Sequence, residues 1–236
     1  MSRIIPCTKC GHKRKLKYVD KRTFKRGCMK CVRKNDISEN AFKSLNTSNK
    51  AYLFGFLLAD GYVNDKGTIR VGVNSKDESI LHKFKQCIGG RVYKRKRLDR
   101  RNGINYICSE FQCDSVKIVN DIKKIGFRSN HVRVPIKYRK HLVLGFLDGD
   151  GCIYKNNKNY LFQVTFSGQK NTNWNFILDI IPDKYRRKFH ISKNSDRLRI
   201  CGDNAKKFLD WVYSEECMGL SRKRVVYEEY KKYRWS

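Results

Sequence analysis

The sequence predicts an α+β protein made of two similar αββαββα halves, preceded by a small N-terminal module. Segment 52–63 recurs as segment 142–153, at an offset of 142 − 52 = 90 residues. Each copy is followed by alternating and helix-periodic stretches in the same order, which indicates a pseudo-two-fold repeat within one chain. Residues 1–34 differ in composition, because they hold thirteen Lys and Arg, a single acid and two Cys-x2-Cys pairs.

The domain boundaries follow from these changes in composition and hydrophobic pattern. We predict an N-terminal module at residues 1–34, a first half at 50–135, and a second half at 136–236 that ends in a basic helix. Residues 35–49 are rich in Asn and Ser and carry no sustained period, so they are predicted to be a linker or a loose arm.

The elements of each half follow from hydrophobic periodicity. After its apolar motif helix, the first half has the pattern of a strand at 68–73, a helix at 77–88, strands at 91–98 and 105–112, and a helix at 115–125. After its own motif helix, the second half has the pattern of a strand at 161–166, a helix at 173–181, strands at 188–192 and 197–201, and a helix at 205–213.

Glycine and alanine lie at matched positions in the two motif helices. Gly55 and Ala59 are four residues apart in the first helix, as Gly145 and Gly149 are in the second. Because glycine inside a helix is unfavourable, its presence indicates close backbone approach, and the two helices are expected to pack on these faces. A further glycine ends each helix, and left-handed caps are expected at these two positions, Gly61 and Gly151.

An acid precedes each terminal glycine, at Asp60 and Asp150. An acid at a helix C-terminus is unfavourable, and bringing two together increases the repulsion. A divalent cation relieves it, and oxygen ligands beside a phosphate suit Mg²⁺. Paired carboxylates of this kind are typical of metal-assisted phosphodiester hydrolysis.

The charge of the chain indicates a polyanionic partner. With 53 Lys and Arg against 22 Asp and Glu, the formal net charge is +31, so nucleic acid is expected. No apolar run is long enough for a membrane span, the start lacks the apolar run of a signal peptide, and reduced cysteines are expected. We therefore predict an intracellular protein with no membrane partner.

The repeated segments resemble the LAGLIDADG motif of two-motif, single-chain homing endonucleases, over about residues 50–230. The resemblance implies that the motif helices form the central interface and that two four-stranded sheets form a saddle over DNA. It also implies a site-specific double-strand break that requires Mg²⁺ or Mn²⁺, with Asp60 and Asp150 as catalytic metal ligands. Backbone carbonyls of Ala59 and Gly149 would complete the metal ligands.

Further site residues follow from the resemblance. Polar residues after the second strand, Ser75 and Gln169, would position solvent, and late basic residues, Lys223 and Arg128, would stabilise transition-state charge. For the basic pair, a phosphate contact or a solvated charge is an equal alternative. The chain departs from the motif where Phe54 and Leu144 replace its alanine and where Leu58 replaces the earlier acid that Asp148 retains.

Basic and aromatic residues alternate along the predicted strands and are the expected DNA contacts, to phosphates or to guanine edges. They are Arg91, Tyr93, Arg95 and Arg97, the hairpin residues Arg100 and Arg101, and Arg186, Lys188, His190, Arg197 and Arg199.

The N-terminal cysteine pairs, Cys7/Cys10 and Cys28/Cys31, have the spacing of a structural Zn²⁺ ribbon. Four thiolates would fold a segment too small for its own core. Basic residues between the pairs, including Lys13, Arg14 and Lys15, are expected to contact DNA.

Three functions remain open at this stage. The first is a monomeric homing endonuclease acting on double-stranded DNA, intron-encoded or free-standing. The second is a maturase that binds intron RNA on the same fold. The third is a DNA-binding regulator that has lost cleavage, although both acids are retained.

Overall fold

The computed structural model describes residues 3–6, 13–16, 37–99, 103–156, 161–215 and 218–232. In the N-terminal part, β1 (Arg3–Pro6) and β2 (Lys13–Leu16) form a two-stranded antiparallel sheet. The contacts predicted for Lys13, Arg14 and Lys15 stay predictions. The four zinc-candidate cysteines, Cys7, Cys10, Cys28 and Cys31, and the hairpin residues Arg100 and Arg101 lie outside the described residues.

The first half has the predicted αββαββα order. Its elements are α1 (Ser48–Asp60), β3 (Gly61–Val63), β4 (Thr68–Asn74), a 3₁₀ turn (Ser75–Asp77), α2 (Ser79–Ile88), β5 (Arg91–Leu98), β6 (Asn105–Asp114) and α3 (Val116–Ile125). The four strands form an antiparallel sheet in the order β3-β4-β6-β5.

The second half repeats this order and adds a C-terminal helix. After a 3₁₀ turn (Ile136–Tyr138) come α4 (Arg139–Asp150), β7 (Gly151–Asn156), β8 (Leu161–Ser167), α5 (Asn175–Leu178), α6 (Asp183–Arg186), β9 (His190–Ile191), β10 (Arg197–Cys201), α7 (Gly202–Val212) and α8 (Ser221–Lys232). Its sheet has the matching order β7-β8-β10-β9. The predicted α+β class with two similar αββαββα halves is confirmed, and the zinc-binding character of the N-terminal module stays a prediction.

Two elements of the second half are shorter than predicted. The helix expected at 173–181 is reduced to the single turn α5, because Pro182 disfavours helical backbone in the residue before it, and a separate turn, α6, begins after that proline. The strand expected at 188–192 is reduced to β9. There the Ser192 hydroxyl bonds the Asp196 carboxylate and accepts from the Arg197 amide, so a tight turn ends the ladder.

The prediction of a loose arm before α1 is wrong for residues 37–47. Phe42 is fully buried and lies against Phe54 of α1. The Ser38 amide donates to the carbonyl of Ile88, and the Ser115 hydroxyl donates to Glu39 at 2.6 Å. This segment is therefore part of the first half's core despite its polar composition, while the domain boundaries themselves stay predictions.

Each sheet has one buried face and one face open to solvent, here called the outer face. In β4 the alternate residues Ile69, Val71 and Val73 are buried, as Phe162, Val164 and Phe166 are in β8. Both sets belong to one hydrophobic core that also contains the motif helices α1 and α4. The residues between them lie on the outer faces. Among the described helices none is long and apolar enough to cross a membrane.

Candidate active site at the paired helix ends

The motif helices α1 and α4 are in backbone contact at their glycines. A Cβ atom added to Gly55 would lie 2.0 Å from the carbonyl oxygen of Leu142, and one added to Gly145 would lie 1.9 Å from that of Tyr52. A Cβ on Gly149 would lie 2.4 Å from the Cβ of Ala59. The predicted close approach is confirmed, and it brings the C-terminal ends of the two helices together.

The predicted left-handed caps are wrong. Gly61 and Gly151 are extended, with φ of −85° and −89°, because the chain passes directly from each helix into a strand. Their amides donate to the carbonyls of Leu57 and Leu147. A Cβ would lie 2.2 and 2.4 Å from those same oxygens. Glycine is required here for contact with the helix's own last turn, not for a positive φ.

The two acids lie side by side across this helix crossing. Asp60 Oδ2 is 3.4 Å from the position of a Cβ on Gly149, the residue before Asp150. Although Asp60 is partly open to water, loss of solvation within the surrounding protein raises its pKa to about 6, and the charge of Asp150 adds to the effect. Burial also raises the pKa of Asp150, against the effect of Lys223. The charge of Asp150 therefore acts on Asp60 in the direction that the sequence predicts.

Lys223 of α8 is buried at the end of α4. Its ammonium donates to the carbonyls of Leu147, Asp148 and Gly151 at 2.6, 2.8 and 2.6 Å. These bonds use all three ammonium protons, and a cation at a helix C-terminus is favourable. Burial lowers the pKa of Lys223 to about 8. As placed here, Lys223 acts on Asp60 and Asp150 through its charge.

An ion pair between the two halves borders the same acids. Arg222 of α8 binds both carboxylate oxygens of Asp77, in the 3₁₀ turn after β4, at 3.1–3.2 Å. The charge of Arg222 lowers the pKa of Asp60 and that of Asp77 raises it. Sequence reasoning did not assign a role to either residue. Asp77 could have been found as the acid two residues after Ser75, in the turn already expected to carry polar site residues.

The other predicted catalytic residues, Ser75, Gln169 and Arg128, lie in loops and turns outside the paired helix ends. Ser75 begins the exposed turn that contains Asp77. Gln169 is exposed in the loop after β8, where its backbone carbonyl accepts from Thr172. Arg128 has a left-handed backbone, with φ of 58°, and its guanidinium lies 5.5 Å from the ring centre of Phe127. The structure thus gathers Asp60, Asp150 and Lys223, and their catalytic roles stay predictions.

The oxygen atoms at this crossing fit a hard divalent cation. Two carboxylates that raise each other's energy when charged would be stabilised by bound Mg²⁺ or Mn²⁺. The backbone carbonyls of Ala59 and Gly149 belong to the same helix ends. In the described part of the chain no group of three or more His, Cys, Asp or Glu converges. The acidic side chains that could hold a cation at this crossing are therefore Asp60 and Asp150.

A small cleft opens beside Asp150. Its volume is about 190 Å³, and it is lined by Gly151, Cys152, Ile153, Arg222, Lys223 and Val226. Two of these six residues are the basic pair of α8, so the cleft offers positive charge next to the acids.

The first sheet presents the predicted basic residues on its outer face. Arg91, Tyr93, Arg95 and Arg97 of β5 lie opposite β6 residues of that face, with Tyr93 paired to Glu110. The Glu110 carboxylate is 2% exposed, accepts from the Tyr93 hydroxyl at 2.9 Å, and forms ion pairs with Arg95 and Arg97. These contacts hold the two guanidinium groups in place and partly neutralise them.

The second sheet matches the prediction only in part. His190, Arg197 and Arg199 lie in β9 and β10, and Arg199 pairs with both His190 and Thr165 on the outer face. The strand placement of Arg186 and Lys188 is wrong. Arg186 lies in α6, where its guanidinium forms ion pairs with Asp183 at 2.9 Å and Asp179 at 3.6 Å, and Lys188 precedes β9.

The raised pKa of Asp60 predicts a pH-dependent effect on stability in metal-free buffer. Its pKa is higher in the folded chain, so the protonated form stabilises the fold below about pH 4, and this contribution is lost as pH rises through 6. Asp60→Asn should therefore raise the melting temperature at pH 7.5 in EDTA and have little effect at pH 4. Adding Mg²⁺ at pH 7.5 should stabilise the parent more than the variant. A variant that melts at the parental temperature at both pH values would contradict the assigned pKa.

The fold resembles that of several solved structures. The homing endonuclease I-WcaI bound to its DNA recognition sequence matches with a TM-score of 0.53 and 12% identity, over 78% of this chain and 87% of that one. The LAGLIDADG meganuclease I-AabMI bound to uncleaved DNA gives 0.49 and 10%, over 76% and 88%. The N-terminal LAGLIDADG domain of DUF199/WhiA gives 0.48 and 12%, over 82% and 96%.

No family model and no curated protein matches the sequence. At 12% identity the similarity to I-WcaI establishes the fold alone, two αββαββα halves with two four-stranded antiparallel sheets. It does not carry an activity from that protein to this chain.

Proposed function

We propose that the protein is a site-specific DNA endonuclease that makes a double-strand break, with one acid of each half serving one scissile phosphodiester. The observation that carries the proposal is the pairing of Asp60 and Asp150 at a helix crossing so close that only glycine fits. The charge of Asp150 disfavours the ionised form of Asp60, and a bound divalent cation would relieve this repulsion. A purely structural role does not explain why both positions carry an acid.

The roles of the residues follow from this geometry. Asp60 and Asp150 would hold the divalent cations, with backbone carbonyls of Ala59 and Gly149 as further ligands. When bound, the cation activates water and stabilises charge on the departing oxygen. Lys223 places a positive charge beside both acids, and Arg222 is held nearby by Asp77.

Double-stranded DNA is the proposed substrate because the charge of the chain and the outer faces of the sheets suit it. The net charge is +31, and arginines lie on the outer faces of both sheets. Arginine binds guanine O6 and N7 in the major groove or neutralises phosphates. Of the similar structures, I-WcaI is described on its DNA recognition sequence.

The direct test is digestion of a randomised duplex library with Mg²⁺, with sequencing of the cut ends and EDTA as the matched control. We expect a narrow set of related sites and a constant overhang, both absent in EDTA. Scattered ends, or cutting that continues in EDTA, would contradict the proposal.

A DNA-binding protein that does not cleave is the second candidate, and one observation favours it. Lys223 already provides a buried positive charge beside Asp150, so part of the repulsion is relieved without a metal. Selection of bound duplexes from the same library, without cutting in Mg²⁺ or Mn²⁺, would support this alternative.

We further propose that Cys7, Cys10, Cys28 and Cys31 bind structural Zn²⁺. Cys7→Ser or Cys28→Ser should lower the zinc content measured by atomic emission and weaken DNA affinity without abolishing cleavage. Cys87→Ser, in α2, is the matched control and should retain zinc. Unchanged zinc content in both test variants would count against the site.

A further inference from the structure

Asp148 is a buried acid that the proposed chemistry does not use. It lies in α4 two residues before Asp150 and is 1% exposed. Its Oδ2 accepts from the Tyr52 hydroxyl at 2.7 Å and from the Leu220 amide at 2.7 Å. One carboxylate oxygen therefore joins the first motif helix, the second motif helix and the segment that leads into α8.

The bond to Leu220 fixes the point where α8 begins. The carbonyl of Leu220 accepts from the amides of Lys223 and Arg224, which makes Leu220 the start of the first turn. The ammonium of Lys223 then returns to the backbone carbonyl of Asp148 at 2.8 Å. Residue 148 thus contacts both ends of the turn 220–223, with its side chain at one end and its backbone at the other.

A buried acid at this position is costly, so its presence needs a reason. Asp148 Oδ1 is buried and has no hydrogen-bond partner among the residues that the structure describes. A buried carboxylate without full pairing is unfavourable. The equivalent position of the first motif is Leu58, and in the described chain α8 has no counterpart after α3. The acid therefore occurs in the half that also carries the extra helix.

We infer that Asp148 is a positioning residue that docks α8 on the end of α4 and so places Lys223 and Arg222 beside the paired acids. The negative charge of Asp148 also stabilises the buried ammonium of Lys223. The docking is a property of the free protein. Its effect on cleavage rests on the proposed function.

The first arm of the test needs neither DNA nor metal. Asp148→Leu copies the residue of the first motif and removes both hydrogen bonds. Backbone hydrogen exchange should become faster over residues 219–226 while α1 stays protected. Tyr52→Phe is the matched control, because it removes one bond to Asp148 and leaves the bond to Leu220. Unchanged exchange over 219–226 in Asp148→Leu would overturn the inference.

A second variant covers the case in which Asp148→Leu does not fold. Asp148→Asn keeps an oxygen acceptor and removes the charge, so it should loosen the same segment to a smaller extent. Parental exchange over 219–226 in this variant, with Asp148→Leu unfolded, would overturn the positioning role and leave only a role in stability.

The second arm measures single-turnover cleavage at saturating protein. Asp148→Leu should slow cleavage by about tenfold. It should add little in the background of Lys223→Met, because both changes withdraw the positive charge of Lys223 from the paired acids. Effects that multiply would show that Asp148 does not act through Lys223. If the parent does not cleave DNA, the proposed function fails, and the exchange measurements alone decide the docking.

Discussion

Asp60→Asn and Asp150→Asn are each expected to abolish double-strand cleavage while leaving DNA binding close to the parental level. The amide keeps the size of the carboxylate and removes the charge that binds a cation. Outer-shell partners of metal ligands commonly contribute 10- to 100-fold, so loss of a direct ligand should slow the cut by more than about a hundredfold. The measurement is single-turnover cleavage of the selected site, with gel-shift titration for binding.

Asp65→Asn is the matched control for these variants. Asp65 lies in the turn between β3 and β4 and forms an exposed ion pair with Lys123. Removing it changes the net charge equally without touching the helix crossing, so cleavage should stay parental. Parental cutting by both Asp60→Asn and Asp150→Asn would show that the paired acids are not the catalytic groups.

The parts of the site that are determined by nearby residues in the sequence could be predicted. The helix ends could be located because the spacing of Gly55 and Ala59, and of Gly145 and Gly149, repeats with an acid after it. The strands could be located because buried and exposed residues alternate along each of them. These features are set by neighbours within one or two turns of the chain.

Contacts between distant segments could not be predicted in the same way. Arg222 and Asp77 are 145 residues apart, so no local pattern connects them. The same holds for Glu110, which appears in the sequence as an ordinary strand acid and in the structure binds three side chains of β5. The geometry of the terminal glycines was mispredicted because a strand follows each helix without a turn.

The two halves are alike in fold and unlike in charge. Strands β4 and β8 have the same length and alternation, and the third residue after each is Asp77 in one half and Lys170 in the other. Lys223 is bonded to the end of α4, and in the described chain no side-chain ammonium is bonded to the end of α1. The two acids therefore have different surroundings.

Among Gly→Ala substitutions in the described chain, Gly145→Ala is expected to lower the free energy of unfolding the most. In an exposed helix the change would stabilise by about 1 kcal/mol, because alanine is the better helix former. Here the new Cβ would lie 1.9 Å from the carbonyl oxygen of Tyr52 and 2.8 Å from the amide of Phe56. Backbone atoms cannot rotate away, so α1 and α4 must separate.

The expected cost is therefore at or above the upper end of ordinary overpacking, about 3 kcal/mol or more, measured by urea unfolding. Gly72→Ala is the control, because its nearest atoms would be at 3.7 Å, an ordinary contact, and it should be neutral or slightly stabilising. Separation of the helices also moves Asp60 from Asp150, so a Gly145→Ala protein that remains folded should lose cation-dependent stabilisation as well. Stability equal to that of the parent would mean that the helices do not touch, and the acids could not then share a site.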